Sequence, residues 1–134
     1  MSQSPTTRKG IEQGRAKYAF EAVKRMNEDT LKKQKEYKSA AKKLPVLIKT
    51  NGLGQSLAFI KKRNDGYDKL YEQLGDWLQI EDAKQLVPKG ELVEQVIQLQ
   101  SPVYRQVTVE TLALLNWVRR FVDGLMKDVE PSDD

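Results

Sequence analysis

Apolar side chains recur at intervals of three and four residues along most of this chain, and no segment alternates apolar and polar side chains as a strand would. This spacing places the apolar residues on one face of an α-helix, and that face needs other helices to bury it. The pattern therefore predicts an all-α fold. With 134 residues, the chain is long enough for an ordinary core, and we expect a single compact domain over residues 1–134.

Six helices are predicted, and proline, glycine and capping residues mark their ends. The expected helices cover about residues 11–26, 30–51, 53–63, 67–78, 92–97 and 102–126. Pro45 lies inside the second helix and should kink or restart it, because proline lacks an amide donor. Ser101 and Pro102 form a good start for the last helix. Outside the folded core of residues 11–126, we expect a loose arm at 1–9 and a disordered acidic tail at 128–134.

Charge is divided unevenly between the two halves of the chain. The first 63 residues carry 16 Lys and Arg against 5 Asp and Glu, whereas residues 64–134 carry 7 against 14. The formal net charge of +4 therefore combines a half of +11 with a half of −7. A cationic half suits phosphate backbones, and an acidic half suits basic neighbours, including further copies of the same chain.

The absence of two residue types excludes several classes of enzyme. The sequence contains no cysteine and no histidine, which removes disulfides, thiolate catalysis, Cys-ligated metals, His-dependent triads and the commonest metal ligand. The remaining candidate acids, Asp65, Asp68, Glu72 and Asp76, form one strip on one predicted helix. A divalent metal needs oxygens that converge from more than one element, so we predict no metal site, no cofactor and no catalytic residue.

Two further sequence features bear on location and on phosphate chemistry. No apolar run approaches the ~20 residues of a membrane span, and the N-terminal residues lack the apolar core of a secretory signal. We therefore expect a soluble cytoplasmic protein without membrane contact. The pair Gly52 and Gly54 is not followed by the Gly-Lys-Ser/Thr of a phosphate-binding loop.

The second predicted helix carries the strongest basic signal. At ~100° per residue, one face collects lysines and the opposite face collects apolar residues. The lysines of that face are Lys35, Lys38, Lys42 and Lys49, and Lys61, Lys62 and Arg63 end the third helix. One interpretation is a ridge that neutralises phosphates without reading sequence. The alternative is a solvated lysine face that only aids solubility, and Lys61 and Arg63 could also complement a helix C-terminus.

Arg15 projects into the apolar stripe of the first helix, between Ile11 and Ala19. A buried guanidinium needs a carboxylate or another anion. The pattern is compatible with an internal ion pair, or with a side chain that reaches the rim of the core. It is also compatible with an arginine presented to RNA or to a neighbouring subunit.

The last helix is apolar over an arc of about 220°, which is wider than a surface helix uses. A second stripe that contains Trp117 and Phe121 lies beside the first. One explanation is a central helix wrapped by the other five. The other is that the second stripe is a protein–protein contact with Trp117 and Phe121 as anchors.

Several stretches of the sequence form a familiar set. They are Arg15-Ala16, Tyr37 through Leu44-Pro45, Asn51 through Phe59, Tyr67…Leu74…Trp77-Leu78, and Tyr104-Arg105…Thr108…Glu110…Leu112–Leu115…Trp117…Arg119–Phe121…Gly124-Leu125. Together these stretches resemble the small helical subunit of the Cmr (type III-B CRISPR–Cas) effector complex. The resemblance covers about residues 11 to 126. Its specific parts are the Asn-Gly-Leu-Gly-Gln stretch after a Leu-Pro helix and the last helix.

This resemblance implies a non-catalytic subunit of a ribonucleoprotein of antiviral defence. A few copies would stack beside the repeated backbone subunits that hold the guide RNA, with a basic face along the groove where target RNA pairs with the guide. Target cleavage would belong to the backbone subunits, and signalling or DNA-directed activity to the large subunit. The candidate RNA contacts are Arg15, Lys38, Lys42, Lys43, Lys49, Lys61, Lys62, Arg63, Arg105 and Arg119.

Other classes of function remain open at the level of sequence. A free-standing, nonspecific nucleic-acid-binding protein would bind RNA or DNA tightly on its own, with a steep dependence on salt. A pure scaffold would use the second apolar stripe of the last helix and leave the lysines solvated. A metal-dependent nuclease fits the sequence least well.

Overall fold

The computed structural model describes residues 5–81 and 85–131, with residues 5–9 and residue 81 described by their backbone alone. These residues form six α-helices and no strand, so the predicted all-α fold is confirmed. The helices are α1 (Pro5–Arg25), α2 (Leu31–Asn51), α3 (Leu53–Lys61), α4 (Tyr67–Gly75), α5 (Leu92–Ile97) and α6 (Ser101–Leu125). A 3₁₀ turn, Met26–Glu28, follows α1, and a π-helical segment, Asp76–Glu81, extends α4. None of the described helices is long and apolar enough to cross a membrane.

Near both ends of the described part, the backbone differs from the helix bounds that the sequence predicted. Helix α1 begins at Pro5 rather than near Ile11, so residues 5–9 are helical and not a loose arm; a proline suits the first turn because its missing N–H has no partner there. At the other end, the Val129 amide donates to the Met126 carbonyl at 3.0 Å, and Val129 packs against the core. Val129 is thus held against the core, whereas residues 1–4 and 132–134 of the predicted arm and tail lie outside the described part.

Helix α2 passes through Pro45 without a break, so the predicted restart at this proline is wrong. An internal proline costs about 3 kcal/mol in hydrogen bonding and sterics. Leu44 and Ile48, on either side of it, are fully buried and hold the helix in place on both sides. Both predicted ends of α2 are confirmed. At its start, the Thr30 hydroxyl accepts a hydrogen bond from the Lys33 amide. At its end, Gly52 adopts φ +88° and its amide donates to the Ile48 carbonyl.

The helices share one apolar core, and α2 lies in its middle. Helices α1 and α6 pack along each other, and α2 packs against α6 on one side and against α3 and α4 on the other. Helix α5 packs on α3. Helix α6 is the longest but keeps an exposed face, on which Val109 is 67% exposed. The other helices therefore cover α6 on one side rather than wrapping it.

The corner between α3 and α4 is held tightly against α2. Gly66 has φ +94°, and a Cβ atom on it would lie 2.4 Å from the Glu36 carbonyl oxygen, so only glycine fits. The Lys33 ammonium also donates to the Asn64 carbonyl at 3.3 Å. These contacts place residues 62–66, the α3–α4 corner, beside the lysines of α2.

Candidate nucleic-acid interface

The sequence-predicted cations do not all reach the surface, and Lys38 is the clearest exception. Only 6% of Lys38 is exposed, and its ammonium donates to the Met126 carbonyl at 2.8 Å. A lysine at this place provides a hydrogen-bond donor and a positive charge for the backbone carbonyl at the C-terminal end of α6. Helical projection put Lys38 on the basic face, but the end of α6 covers that part of the face, which argues against the predicted contact with RNA.

Arg15 forms an internal ion pair, which was one of the roles that the sequence left open. Its Nε and Nη2 donate to both oxygens of Glu110, at 2.7 and 2.8 Å, and its Nη1 donates to Glu12 at 2.6 Å. The Trp77 indole N–H also donates to Glu110, at 3.0 Å. Hydrogen bonding to Glu110 is the main reason why the pKa of Arg15 is raised. The guanidinium joins α1 to α6, and this use within the chain argues against the predicted contact with RNA.

Trp117 and Phe121 also make contacts within the chain. The Trp117 indole N–H donates to Glu12 at 3.0 Å, and its ring stacks on Phe121 at a centroid distance of 5.7 Å. Phe121 meets Phe20 of α1 edge to face at 5.4 Å. Both predicted anchors are thus half-buried in the seam between α1 and α6. Their use at an interface with another protein remains a prediction.

Three exposed lysines in the second half of α2, Lys42, Lys43 and Lys49, form what we call the lysine ridge. Lys42 lies 3.7 Å from a carboxylate oxygen of Asp123, and both side chains are well exposed. A solvated pair at this distance contributes little, so a phosphate can compete for Lys42. The ridge therefore presents three ammonium groups along two turns of one helix.

The α3–α4 corner adds further cations beside the ridge. Arg63 is ion-paired with Asp65, and its guanidinium lies 5.1 Å from the ring centroid of Phe59 and 5.4 Å from that of Tyr67. Hydrogen bonds from Arg63 are the main cause of the lowered pKa of Asp65, and the charge of Lys43 lowers it further. The ridge and the corner are neighbours, because Gly66 of the corner lies against Glu36 of α2, two turns before Lys43.

The other two cations at the end of α3 differ in their partners. Lys61 lies 3.2 Å from Glu91, and this pair is exposed on both sides. Lys62, the next residue, is exposed. Both lysines can therefore contact a polyanion, although Lys61 would have to leave the Glu91 carboxylate or share its ammonium between the two.

Arg105 and Arg119 are exposed on α6 but lie far apart. Fourteen residues of helix separate them by about 21 Å. Helix α6 runs antiparallel to α2, since Asp123 meets Lys42 and the Tyr104 hydroxyl accepts from the Gly54 amide at 2.8 Å. In this antiparallel arrangement, Arg119 lies one turn of α6 from the contact between Asp123 and Lys42, on the side toward Lys49, and Arg105 lies beyond the Lys49 end of the ridge.

The acidic half presents a different surface around α4. Asp68, Glu72, Asp76 and Glu91 line an open cleft of about 470 Å³, whose rim carries the exposed side chain of Ile80. One carboxylate oxygen of Asp68 is buried and has no hydrogen-bond partner within the described part of the chain. Among the described residues, no group of three or more potential ligands could hold a metal ion. We call this surface the acidic cleft.

Sequence reasoning missed two residues that contact the corner, Lys33 on α2 and Phe59 on α3. Lys33 lies one turn before Glu36 and reaches the corner through Asn64, a contact that no local pattern reveals. Phe59 did carry a signal. It falls off the buried face of α3 that Leu57 and Ile60 define, and it directly precedes the basic end of that helix.

Comparison with known proteins places the chain among CRISPR-associated proteins. Residues 11–125 match the family described as CRISPR-associated protein (Cas_Cmr5). The CRISPR system Cmr subunit Cmr5 of Thermus thermophilus is 33% identical over 94 residues, which cover 69% of this chain and 77% of that protein. The crystal structure of a CRISPR-associated Cmr5 family protein from Thermus thermophilus is similar in fold, with a TM-score of 0.72 and 32% identity over 85% of this chain and 96% of that chain.

Proposed function

The chain belongs to the Cmr5 family, the small subunits of type III-B CRISPR effector complexes, and from that premise we propose that its lysine ridge holds the backbone of target RNA paired with the guide. We further propose that several copies stack along the complex and that the chain itself is not catalytic. The observation that carries the RNA contact is the exposure of Lys42, Lys43 and Lys49 on one helix, beside the cations of the corner.

The chemistry of the ridge suits a sequence-independent contact. Ammonium groups on flexible stems neutralise phosphates as point charges and carry no base readout. Such a contact is sufficient in an RNA-guided complex, because base pairing supplies the specificity. Lys62 and Arg119 lie next to the ridge and would extend the same phosphate path.

The two charged surfaces support assembly beside basic neighbours. The acidic cleft around α4 carries four carboxylates, whereas the ridge and corner carry the positive charge of the first half. Opposite charges on different surfaces of one small chain favour contacts between unlike surfaces, and such contacts build linear stacks. Further copies of the chain, together with the backbone and large subunits, are the partners that we propose.

A non-catalytic role agrees with the residues available. The chain lacks histidine and cysteine, and Asp65 of the acidic strip is taken up by Arg63. We propose that cleavage in the complex belongs to other subunits. An RNase assay of the isolated chain with Mg²⁺ or Mn²⁺ tests this point, and cleavage abolished by substitution of Asp68 or Glu72 would contradict it.

Purification of the tagged chain from its native host tests the assignment as a whole. We expect a multi-subunit complex that carries short guide RNAs. Recovery of bulk RNA or DNA alone would instead identify a free-standing binder. Recovery of protein partners without nucleic acid would identify a scaffold, and the ridge would then have no role in RNA binding.

A further inference from the structure

The α3–α4 corner exposes a large aromatic ring among cations. Phe59 is 47% exposed, although its neighbours Leu57 and Ile60 on α3 are fully buried. The Arg63 guanidinium lies 5.1 Å from the Phe59 ring centroid. The rings of Phe59 and Tyr67 meet in an edge-to-face arrangement, with their centroids 6.2 Å apart. Phe59 is thus a well-exposed aromatic residue in a strongly basic part of the chain.

This ring is held in place before any ligand arrives. Arg63 is fixed by Asp65, to which its Nε donates at 3.0 and 3.1 Å. The corner backbone is fixed by the close approach of Gly66 to Glu36. A preorganised ring and guanidinium lose little conformational entropy on binding, so contacts made here translate into affinity more fully than contacts made by a mobile loop.

The surroundings of the ring define the chemistry of its ligand. Exposed Lys62 lies three residues along the chain, and exposed Lys43 lies on α2 two turns after Glu36, the residue that Gly66 of the corner contacts. An acidic peptide would match these cations but would leave the ring unused. A nucleotide matches both features, because a base stacks on an aromatic face while its phosphates meet the lysines.

We propose that Phe59 is a stacking site for an unpaired base of RNA, with Lys62 and Lys43 neutralising the phosphates next to that base. The inference rests on the proposed function and adds a base contact to the backbone contact of the ridge. Bases inside a duplex are already stacked on each other and cannot lie on Phe59. The corner therefore distinguishes unpaired nucleotides from the paired stretch that the ridge holds.

The test uses the full chain at low salt and a short single-stranded RNA with 2-aminopurine at one position. Stacking on Phe59 should quench the 2-aminopurine fluorescence. Phe59→Leu should abolish the quenching and weaken single-strand binding about fivefold or more, the loss expected for one aromatic stack. Phe59→Tyr should keep the quenching and the affinity for single-stranded RNA. The affinity for a fully paired RNA should be the same for all variants.

Phe20→Leu is the matched control. Phe20 is also an exposed phenylalanine, at 38%, with the ammonium of Lys24 5.9 Å from its ring, but it lies on the α1–α6 seam. This variant should quench and bind like the unmodified chain. Thermal unfolding of each variant shows whether the fold is intact.

Two results would overturn the stacking site. One is unchanged quenching and affinity in a folded Phe59→Leu variant. The other is an equal loss of binding to single-stranded and paired RNA, which would make Phe59 a support for the corner rather than a base contact. Neither result touches the ridge, whose role is measured separately by retention of target RNA in the assembled complex.

Discussion

The ammonium group of Lys38 donates to the backbone carbonyl of Met126 at 2.8 Å, across 88 residues of sequence. The same carbonyl accepts from the Val129 amide at 3.0 Å. Lys38 of α2 and the turn that follows α6 therefore both donate hydrogen bonds at the C-terminal end of α6. This contact ties α2 to α6 and divides the lysines of α2 into two kinds. Lys38 belongs to the fold, and Lys42, Lys43 and Lys49 belong to the surface.

Replacement of Lys38 by methionine should lower stability and spare RNA binding. The substitution keeps much of the side-chain volume but removes a charge-assisted hydrogen bond, which contributes about 1.5–3 kcal/mol. We expect a net loss of about 1–2 kcal/mol in the free energy of unfolding, measured by urea titration. Lys49→Met, on the exposed ridge, should change stability by less than about 0.5 kcal/mol and should weaken RNA binding. A loss of stability in Lys49→Met together with a loss of RNA binding in Lys38→Met would contradict the structural role of Lys38 and the RNA-binding role of Lys49.

The Arg15–Glu110 pair should show strong coupling in a double-mutant cycle. Arg15→Leu leaves the carboxylate of Glu110 buried without its bidentate cation, and breaking a buried pair in this way costs about 3–5 kcal/mol. The pair is not fully dehydrated, since the side chains are 19% and 10% exposed, so we expect the lower end of this range. The double variant with Glu110→Leu should be clearly more stable than the sum of the single losses implies. Additive losses would mean that the two groups do not interact.

Gly66→Ala should destabilise the corner severely. The positive φ alone costs an L-residue about 1–3 kcal/mol, and the new Cβ would meet the Glu36 carbonyl oxygen at 2.4 Å. Gly124→Ala is the matched control, because nothing lies within 4 Å of its Cβ position on α6. There the change should be neutral or raise stability by up to about 1 kcal/mol through helix propensity. Thermal unfolding measures both, and equal effects would contradict the described geometry of the corner.

Stability should fall in acid partly through Asp65. Hydrogen bonding to Arg63 lowers its pKa in the folded chain, so the stabilisation that it provides is present above its unfolded pKa of about 3.9. That stabilisation disappears as pH falls through the lower, folded pKa. Asp65→Asn should therefore be less stable than the unmodified chain at pH 6, and the difference should shrink below about pH 4. Chemical denaturation at a series of pH values measures it, and a difference that stays constant with pH would rule out this ion pair as the cause.

The helices could be predicted from the sequence because amphipathic periodicity and end signals are local. Thr30 and Gly52 each mark a helix end by their own chemistry. Pro45 misled the prediction because a local rule was opposed by the burial of Leu44 and Ile48, which depends on partners elsewhere in the chain. The early start of α1 at Pro5 was missed because its first turns carry no apolar repeat.

The candidate site was harder to predict, since charge and helical projection define the faces of a helix but not its neighbours. Lys38 and Lys42 project alike, and only the position of α6 separates the buried one from the exposed one. Arg15 could be recognised as needing an anion, but Glu110 lies 95 residues away and no local pattern identified it as the partner. Phe59 was visible as an aromatic off the buried face, but its relation to Lys43 depends on how the corner packs against α2.

Target-RNA affinity of the assembled complex as a function of salt tests the role of the ridge most directly. The complex would be purified through a tag on this chain, with Lys42→Glu and Lys43→Glu combined, and compared with Lys17→Glu and Lys24→Glu, which reverse two exposed charges on α1. If the ridge holds the RNA backbone, its reversal should weaken binding and make the log–log salt slope less negative by about two or more, because each lost phosphate contact contributes close to one. The variant with Lys17→Glu and Lys24→Glu should keep the affinity and the salt slope of the unmodified complex. Unchanged affinity and an unchanged salt slope in an intact ridge variant would contradict the assignment.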